Sequence, residues 1–194
     1  MNKLIIFEGP DRIGKSTQVK KLFQLMNMSE NKIPTIMLHN AYFPIIQSTI
    51  DFKKEQIQKY YNYYENQMNV LCEGRDANWI LDRSHLGEWV YGQLYRKYKS
   101  YDIFELDNFI QKYFDCYLIV MIDDSERLIE REDGNSFSQK DLGLKQKEIY
   151  LFKEVYYNSK ITKKFLINNA EYRKEDTSIA IQDISNRINT FIFF

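Results

Sequence analysis

Neither sign of charge is in excess. Twenty-seven lysines and arginines face 27 aspartates and glutamates over 194 residues, for a formal net charge of +0. No basic block stands out, which argues against wholesale nucleic-acid binding by phosphate neutralisation, although a local basic pocket stays open. Cysteine is scarce: Cys72 and Cys116 lie far apart, without metal-ligand spacing. Both sit in apolar stretches and are expected to be reduced, buried small hydrophobes. The two histidines, His39 and His85, are expected to be polar packing or surface residues. No apolar run is long enough to span a membrane. The closing Phe191-Ile192-Phe193-Phe194 is too short for that and is expected to dock on the body. Met1-Asn2-Lys3 leads straight into a strand-like run with no signal-peptide pattern, so the expectation is an intracellular, cytoplasmic protein. There is no internal repeat and no linker, and the length fits one domain over 1–194. Aromatic residues are plentiful instead, with 15 tyrosines and 13 phenylalanines. Alongside frequent lysine, asparagine and isoleucine, they read chiefly as the product of an AT-rich coding sequence. With 44% hydrophobic and 28% charged residues, the composition is that of a globular chain rather than a disordered one.

Strand-like and helix-like stretches alternate. Lys3–Phe7 reads as a buried strand, followed by a glycine-bearing turn and by Val19, Leu22, Phe23 and Met26 at helical spacing. Pro34–Leu38 is a second strand. Ile57, Tyr60, Tyr61, Tyr64, Met68 and Leu71 make one stripe of a helix from about Phe52, stopped at Glu73-Gly74. Trp79–Leu81 is a third strand, ending at Asp82-Arg83. Leu86, Val90 and Leu94 mark a helix, and Phe104–Phe114 another. Tyr117–Ile122 is the fourth strand, with Asp123-Asp124-Ser125 as a helix N-cap. A polar segment, Glu130–Lys145, has no apolar face and reads as a mobile flap. A helix through Tyr156, a strand at Lys164–Ile167 and a helix through Ile181, Ile184, Ile188 and Phe191 close the chain. This alternation predicts an α/β fold, a five-stranded parallel sheet covered on both faces. Ligands of such sheets bind at the carboxyl ends of the strands.

Between the first strand and the first helix lies Gly9-Pro10-Asp11-Arg12-Ile13-Gly14-Lys15-Ser16-Thr17. It matches G-x-x-x-x-G-K-[ST] in the context that motif requires. The glycines let the chain curl with its N–H groups inward, and the helix start adds unpaired N–H groups and partial positive charge. Lys15 then serves the outer phosphates and Ser16 a Mg²⁺ ion. The expected nucleotide is ATP or a relative.

The stretch Phe7-Glu8-Gly9, Asp11, Gly14-Lys15-Ser16-Thr17-Gln18 resembles thymidylate kinases, P-loop nucleoside-monophosphate kinases that phosphorylate dTMP. The subgroup with arginine after the aspartate carries its catalytic arginine in the loop. The resemblance implies that Arg12 acts on the transferring phosphoryl group and that Asp11 lies near the acceptor's sugar or attacking oxygen. It also implies the three-layer P-loop kinase fold, a lid at about 130–145 and a homodimer. An arginine beside the moving group stabilises its charge. The plainer alternative is that Asp11 and Arg12 pair with each other at the surface.

Asp82-Arg83 falls where thymidylate kinases carry D-R-Y, and Tyr91 falls at the family's tyrosine seven residues after that Y. By resemblance, Asp82 holds the water shell of Mg²⁺, while Arg83 grips the acceptor's phosphate with its planar fork. Ser84 departs from the family tyrosine. Asp-Arg-Ser is also similar to the E-R-S of deoxynucleoside kinases, which phosphorylate the nucleoside 5′-hydroxyl and use a glutamate after the second strand as base. Here Leu38–Pro44 has no acid, and a neutral hydroxyl needs a base more than an ionised phosphate does. Phe43-Pro44 keeps part of the family's R-F-P, without the arginine. The helix that in the family carries a phenylalanine and an arginine near the thymine has Tyr60, Tyr61, Tyr63 and Tyr64 here and no arginine. Tyr64 or Tyr60 either stacks on the base or belongs to the core, and base preference stays open. Arg127 and Arg131 either reach the donor's phosphates or adenine, or lie on a solvated helix face with Glu126 and Glu130. A P-loop binding protein without an acceptor is a further alternative. A GTPase-type switch lacks its D-x-x-G and N-K-x-D here.

Overall fold

Lys3–Glu8 forms β1, and its side chains alternate between two cores. Leu4 and Ile6 point to one face of the sheet, Ile5 and Phe7 to the other. A strand apolar on both faces belongs inside a sheet with helices above and below. The computed structural model describes residues 1–28, 33–40, 54–134, 136, 138–172 and 177–194. Along the chain β1 is followed by α1 (Lys15–Met28), β2 (Thr35–His39), α2 (Lys54–Glu73), β3 (Asn78–Asp82), α3 (Leu86–Tyr95) and α4 (Glu105–Ile110). Then come β4 (Asp115–Ile122), α5 (Ser125–Glu130), α6 (Leu142–Asn158), β5 (Lys163–Asn168) and α7 (Thr177–Phe193). The five strands run parallel in the order β2-β3-β1-β4-β5.

The first core packs Met68 and Leu71 of α2, Leu86 and Val90 of α3, and Leu151 and Phe152 of α6 against the sheet. The second packs Val19 and Leu22 of α1 and Ile184 and Ile188 of α7 against the opposite face. Burial of such side chains at roughly 1.5–3 kcal/mol each is the main force holding the layers together. Phe191 and Ile192 pack with the second core, as expected of the aromatic C-terminus, while Phe194 stays exposed. Cys72 and Cys116 are buried free thiols, both pushed up in pKa by burial. Among the described residues no helix is long and apolar enough to cross a membrane.

Two expectations change. The helix expected over Phe104–Phe114 is a 3₁₀ turn at Tyr101–Phe104 and then α4, which stops at Ile110. The chain must turn there to enter β4 beside β1, and the Phe114 N–H closes that turn on the Ile110 carbonyl at 3.0 Å. The polar segment 130–145 is no loose flap: Glu132, Ser136, Ser138 and Lys145 are all buried. Lys145 Nζ donates to Glu132 Oε2 at 2.7 Å and to Ser136 Oγ at 2.9 Å. Burial alone would lift the Glu132 carboxyl, but the bonds from Lys145 and Ser136 hold it at about 2. Asp141 caps α6 by accepting from the Leu144 N–H at 2.9 Å.

His85 is polar packing, as expected. It is fully buried, with Nε2 2.9 Å from Asp107 Oδ1. Asp107 Oδ2 also accepts from Ser159 Oγ and the Lys160 N–H, each at 2.8 Å. One buried carboxylate thus joins α4, the start of α3 and the turn before β5. Asp107→Ala strands these donors and should lower stability by about 3 kcal/mol, read as a shifted urea-unfolding midpoint.

Candidate active site

The turn after β1 approaches β4 so closely that a Cβ at Gly9 would lie 2.2 Å from the Met121 carbonyl oxygen. Gly9 also has φ +143, so glycine is required there twice over. The loop then curls into the first turn of α1. Lys15 folds back over it and is buried, with Nζ 2.8 Å from the Gly9 carbonyl and 2.6 Å from that of Pro10. Burial, aided by the charge of Arg83, pushes the Lys15 ammonium down to about 7.

Parallel pairing places Phe7 of β1 opposite Asp82 at the end of β3. Ser16 Oγ therefore reaches Asp82 Oδ2 at 2.7 Å, and His39 Nδ1 lies 3.0 Å from the same oxygen. Burial lifts the Asp82 carboxyl, but the Ser16 bond, the Lys15 charge, the His39 bond and Arg83 together hold it below its usual range. Asp82 Oδ1 is buried and has no hydrogen-bond partner among the described residues. An oxygen-only pair with one orphaned carboxylate oxygen suits a hard cation such as Mg²⁺. Among the described residues no three His, Cys, Asp or Glu side chains gather as a complete metal cage. A cation there would have to share phosphate oxygens and water.

Asp11 and Arg12 do not pair with each other, which removes the plainer alternative. Asp11 bonds Arg83 Nη2 and Arg12 Nη2 bonds Asp133. Asp133 lies in the segment between α5 and α6, so the loop arginine touches the expected lid position. Arg83 is buried, and its Nη1 is 3.4 Å from Tyr91 Oη. Four described non-glycine residues have positive φ, and two of them are Arg12 (64°) and Arg83 (77°). Backbone of this kind persists where the surrounding contacts hold it in place.

Ser84, the departure from the family tyrosine, is explained by Glu8. Its N–H and Oγ donate to Glu8 Oε1 at 2.8 and 2.9 Å. Glu8 is wholly buried, which raises its pKa against the opposing pull of Arg83 and Ser84. Arg127 and Arg131 pair with Asp123 and not with Glu126 or Glu130, although Arg131 itself is exposed. Each guanidinium sits 3.1 Å from the buried Asp123 carboxylate, and Arg127 also donates to the Asn169 carbonyl at 2.8 Å. Asp123 is thus an arginine holder rather than part of the α5 cap; the residue at that cap is Asp124. Arg12, Ile13, Gly14, Thr17, Arg127 and Arg131 line a cavity of about 280 Å³ beside the loop, closed by α7.

Tyr64 is 3% exposed within the first core, which is the core outcome of the two readings left open for it. Phe43 lies outside the described residues. Glu148 had no signal in the sequence: buried on α6, it accepts from Tyr91 Oη at 2.7 Å and from Ser138 Oγ at 3.1 Å. Burial raises its pKa, as does the negative charge of Asp11.

No family model matches the chain, and no curated protein matches it. Among solved structures it is similar to the YorR protein of Bacillus subtilis in complex with phosphorylated GDP. The TM-score is 0.60 at 18% identity, covering 96% of this chain and 95% of that one. The fold is P-loop kinase-like. The likeness is one of fold: an α/β sandwich on a five-stranded parallel sheet.

A polyphosphate laid across Gly9–Ser16 would restore the ordinary pKa of Lys15, so binding should take up a proton above pH 7. The pKa rises on binding, so affinity is greatest below about 7 and falls as pH rises through that value. Calorimetry at pH 8 in buffers of different ionisation heat should show most of a proton taken up, and none with Lys15→Met.

Proposed function

We propose that the chain is an ATP- and Mg²⁺-dependent deoxynucleoside-monophosphate kinase, with dTMP the first acceptor to test. The observation that carries this reading is the placement of two buried cations beside the neighbouring ends of β1 and β3. Lys15 sits over the phosphate loop, and Arg83 follows the β3 residue paired with Phe7. One suits the tail of a donor and the other an acceptor that is itself an anion. The likeness to YorR, whose crystals hold phosphorylated GDP, adds support for a nucleotide ligand.

The transfer needs little covalent chemistry from the protein. An oxygen of the acceptor's phosphate forms the new bond to the γ-phosphorus, the bond from that phosphorus to the β-bridging oxygen breaks, and ADP leaves. The acceptor is already ionised, so no general base is required. Lys15 turns from the Gly9 and Pro10 carbonyls to the outer phosphates. Arg12 exchanges Asp133 for the group in transit, where its charge counts most. Asp11 keeps the Arg83 fork in place for the acceptor's phosphate. Ser16 and Asp82 would hold Mg²⁺, which supplies charge neutralisation across the donor's phosphates. Arg127 and Arg131, fixed on Asp123, border the cavity that would take the donor's base.

A coupled ADP-release assay with each deoxynucleoside monophosphate and each deoxynucleoside decides the reading. Turnover with monophosphates, dTMP among them, is expected. Turnover with nucleosides alone makes it a nucleoside kinase, and nucleotide binding without transfer makes it a binding protein. Arg12→Ala should lower kcat about 10³-fold, with ATP affinity changed only a few-fold. Asp82→Asn should shift the Mg²⁺ dependence of the rate to higher concentrations, read by titrating Mg²⁺ at fixed ATP.

A further inference from the structure

The geometry points to Glu148 as a positioning residue that orients Tyr91 and, through it, the Arg83 guanidinium on which an acceptor anion would sit. Both ends of Arg83 are held. Nη2 meets Asp11, and Nη1 faces Tyr91 Oη at 3.4 Å. A phenol hydroxyl has one proton to donate and lone pairs to accept with. Tyr91 spends its proton on Glu148 Oε1 at 2.7 Å, which turns its lone pairs toward Arg83. Remove that acceptor and the hydroxyl is free to rotate its proton toward the guanidinium, where it repels.

Glu148 is itself fixed. It is 1% exposed, and its second oxygen takes the Ser138 hydroxyl at 3.1 Å. One helical turn earlier Lys145 holds Glu132 and Ser136. Helix α6 therefore carries one buried residue that ties down the 132–138 segment and another that joins this segment to the strand-end arginine. A merely structural carboxylate would need only some buried donor. This one ends a directed chain in which the Arg83 guanidinium donates to Tyr91 and Tyr91 donates to Glu148, while Ser138 donates to its other oxygen; directed chains of this kind fix orientation as well as energy.

The inference rests on the proposed reading for the identity of the anion, but its test does not. The Arg83 guanidinium can be followed by NMR through its side-chain N–H signal, assigned by its loss in Arg83→Lys. In Glu148→Leu that signal should move or average out, while Glu148→Gln, which still accepts from Tyr91, should keep it near the wild-type position. In the kinase assay, Glu148→Leu should raise the acceptor KM at least tenfold with the ATP KM changed less than twofold. Glu148→Gln should recover most of the loss. Tyr91→Phe combined with Glu148→Leu should be no worse than the more damaging single change. An unaltered Arg83 signal in folded Glu148→Leu overturns the inference, as do equal rises in both KM values or additive effects in the double variant. Should wild-type protein turn over no monophosphate while the Arg83 signal still answers to Glu148, the functional reading fails and the positioning role stands.

Discussion

A buried ammonium surrounded by carbonyl oxygens governs this structure. Among the described residues Lys15 hydrogen-bonds the backbone oxygens of Gly9 and Pro10, and it makes no ion pair with a carboxylate. Those oxygens come within reach because the loop is pressed against β4 at Gly9, where no side chain fits. Desolvation makes the charge unfavourable, and Arg83 nearby makes it more so. Asp11, Asp82 and Glu8 offset only part of that cost, so the loop remains short of negative charge. An anion of several charges is the natural complement, and everything else at the strand ends is arranged around that deficit.

The parts legible in the sequence were those whose geometry is local or imposed by the sheet. Gly9 to Thr17 is contiguous, and its strand and helix flank it directly. Asp82-Arg83 was legible because a strand-end pair beside the loop strand can lie in few places once the sheet is parallel. The departures were equally informative. Ser84 departs from the family tyrosine because its hydroxyl and N–H serve the buried Glu8. Asp133, Glu148 and the true role of Asp123 were not legible. Arg12 and Asp133 are 121 residues apart in sequence, and Tyr91 and Glu148 are 57 apart. No periodicity or spacing encodes such meetings; they follow from how α6 and the turn before it settle on α3. The polar run 130–145 misled for a related reason. Its lack of an apolar face suggested mobility, yet a lysine and a glutamate at opposite ends of the run can hold a segment by burying each other's charge.

That segment and the Gly9–Ser16 loop are joined by opposite charges at two levels of exposure. The Lys145–Glu132 pair is sealed from solvent, whereas the Arg12–Asp133 pair is open to it. The first resists exchange because either partner alone would be a bare buried charge. The second exchanges readily, since water and salt compete for both members. A firm anchor and a soft contact on the same few residues allow the arginine to change partners without loosening the segment that lends it one.

The left-handed backbone at Arg12 and Arg83 has a consequence for how this chain can vary. An L-residue pays about 1 kcal/mol or more for that conformation, and glycine does not. Drift toward glycine at either position would relax the fold while deleting a guanidinium. Selection for stability alone would therefore erode both arginines, so their persistence in a lineage would itself be a record of demand on the site.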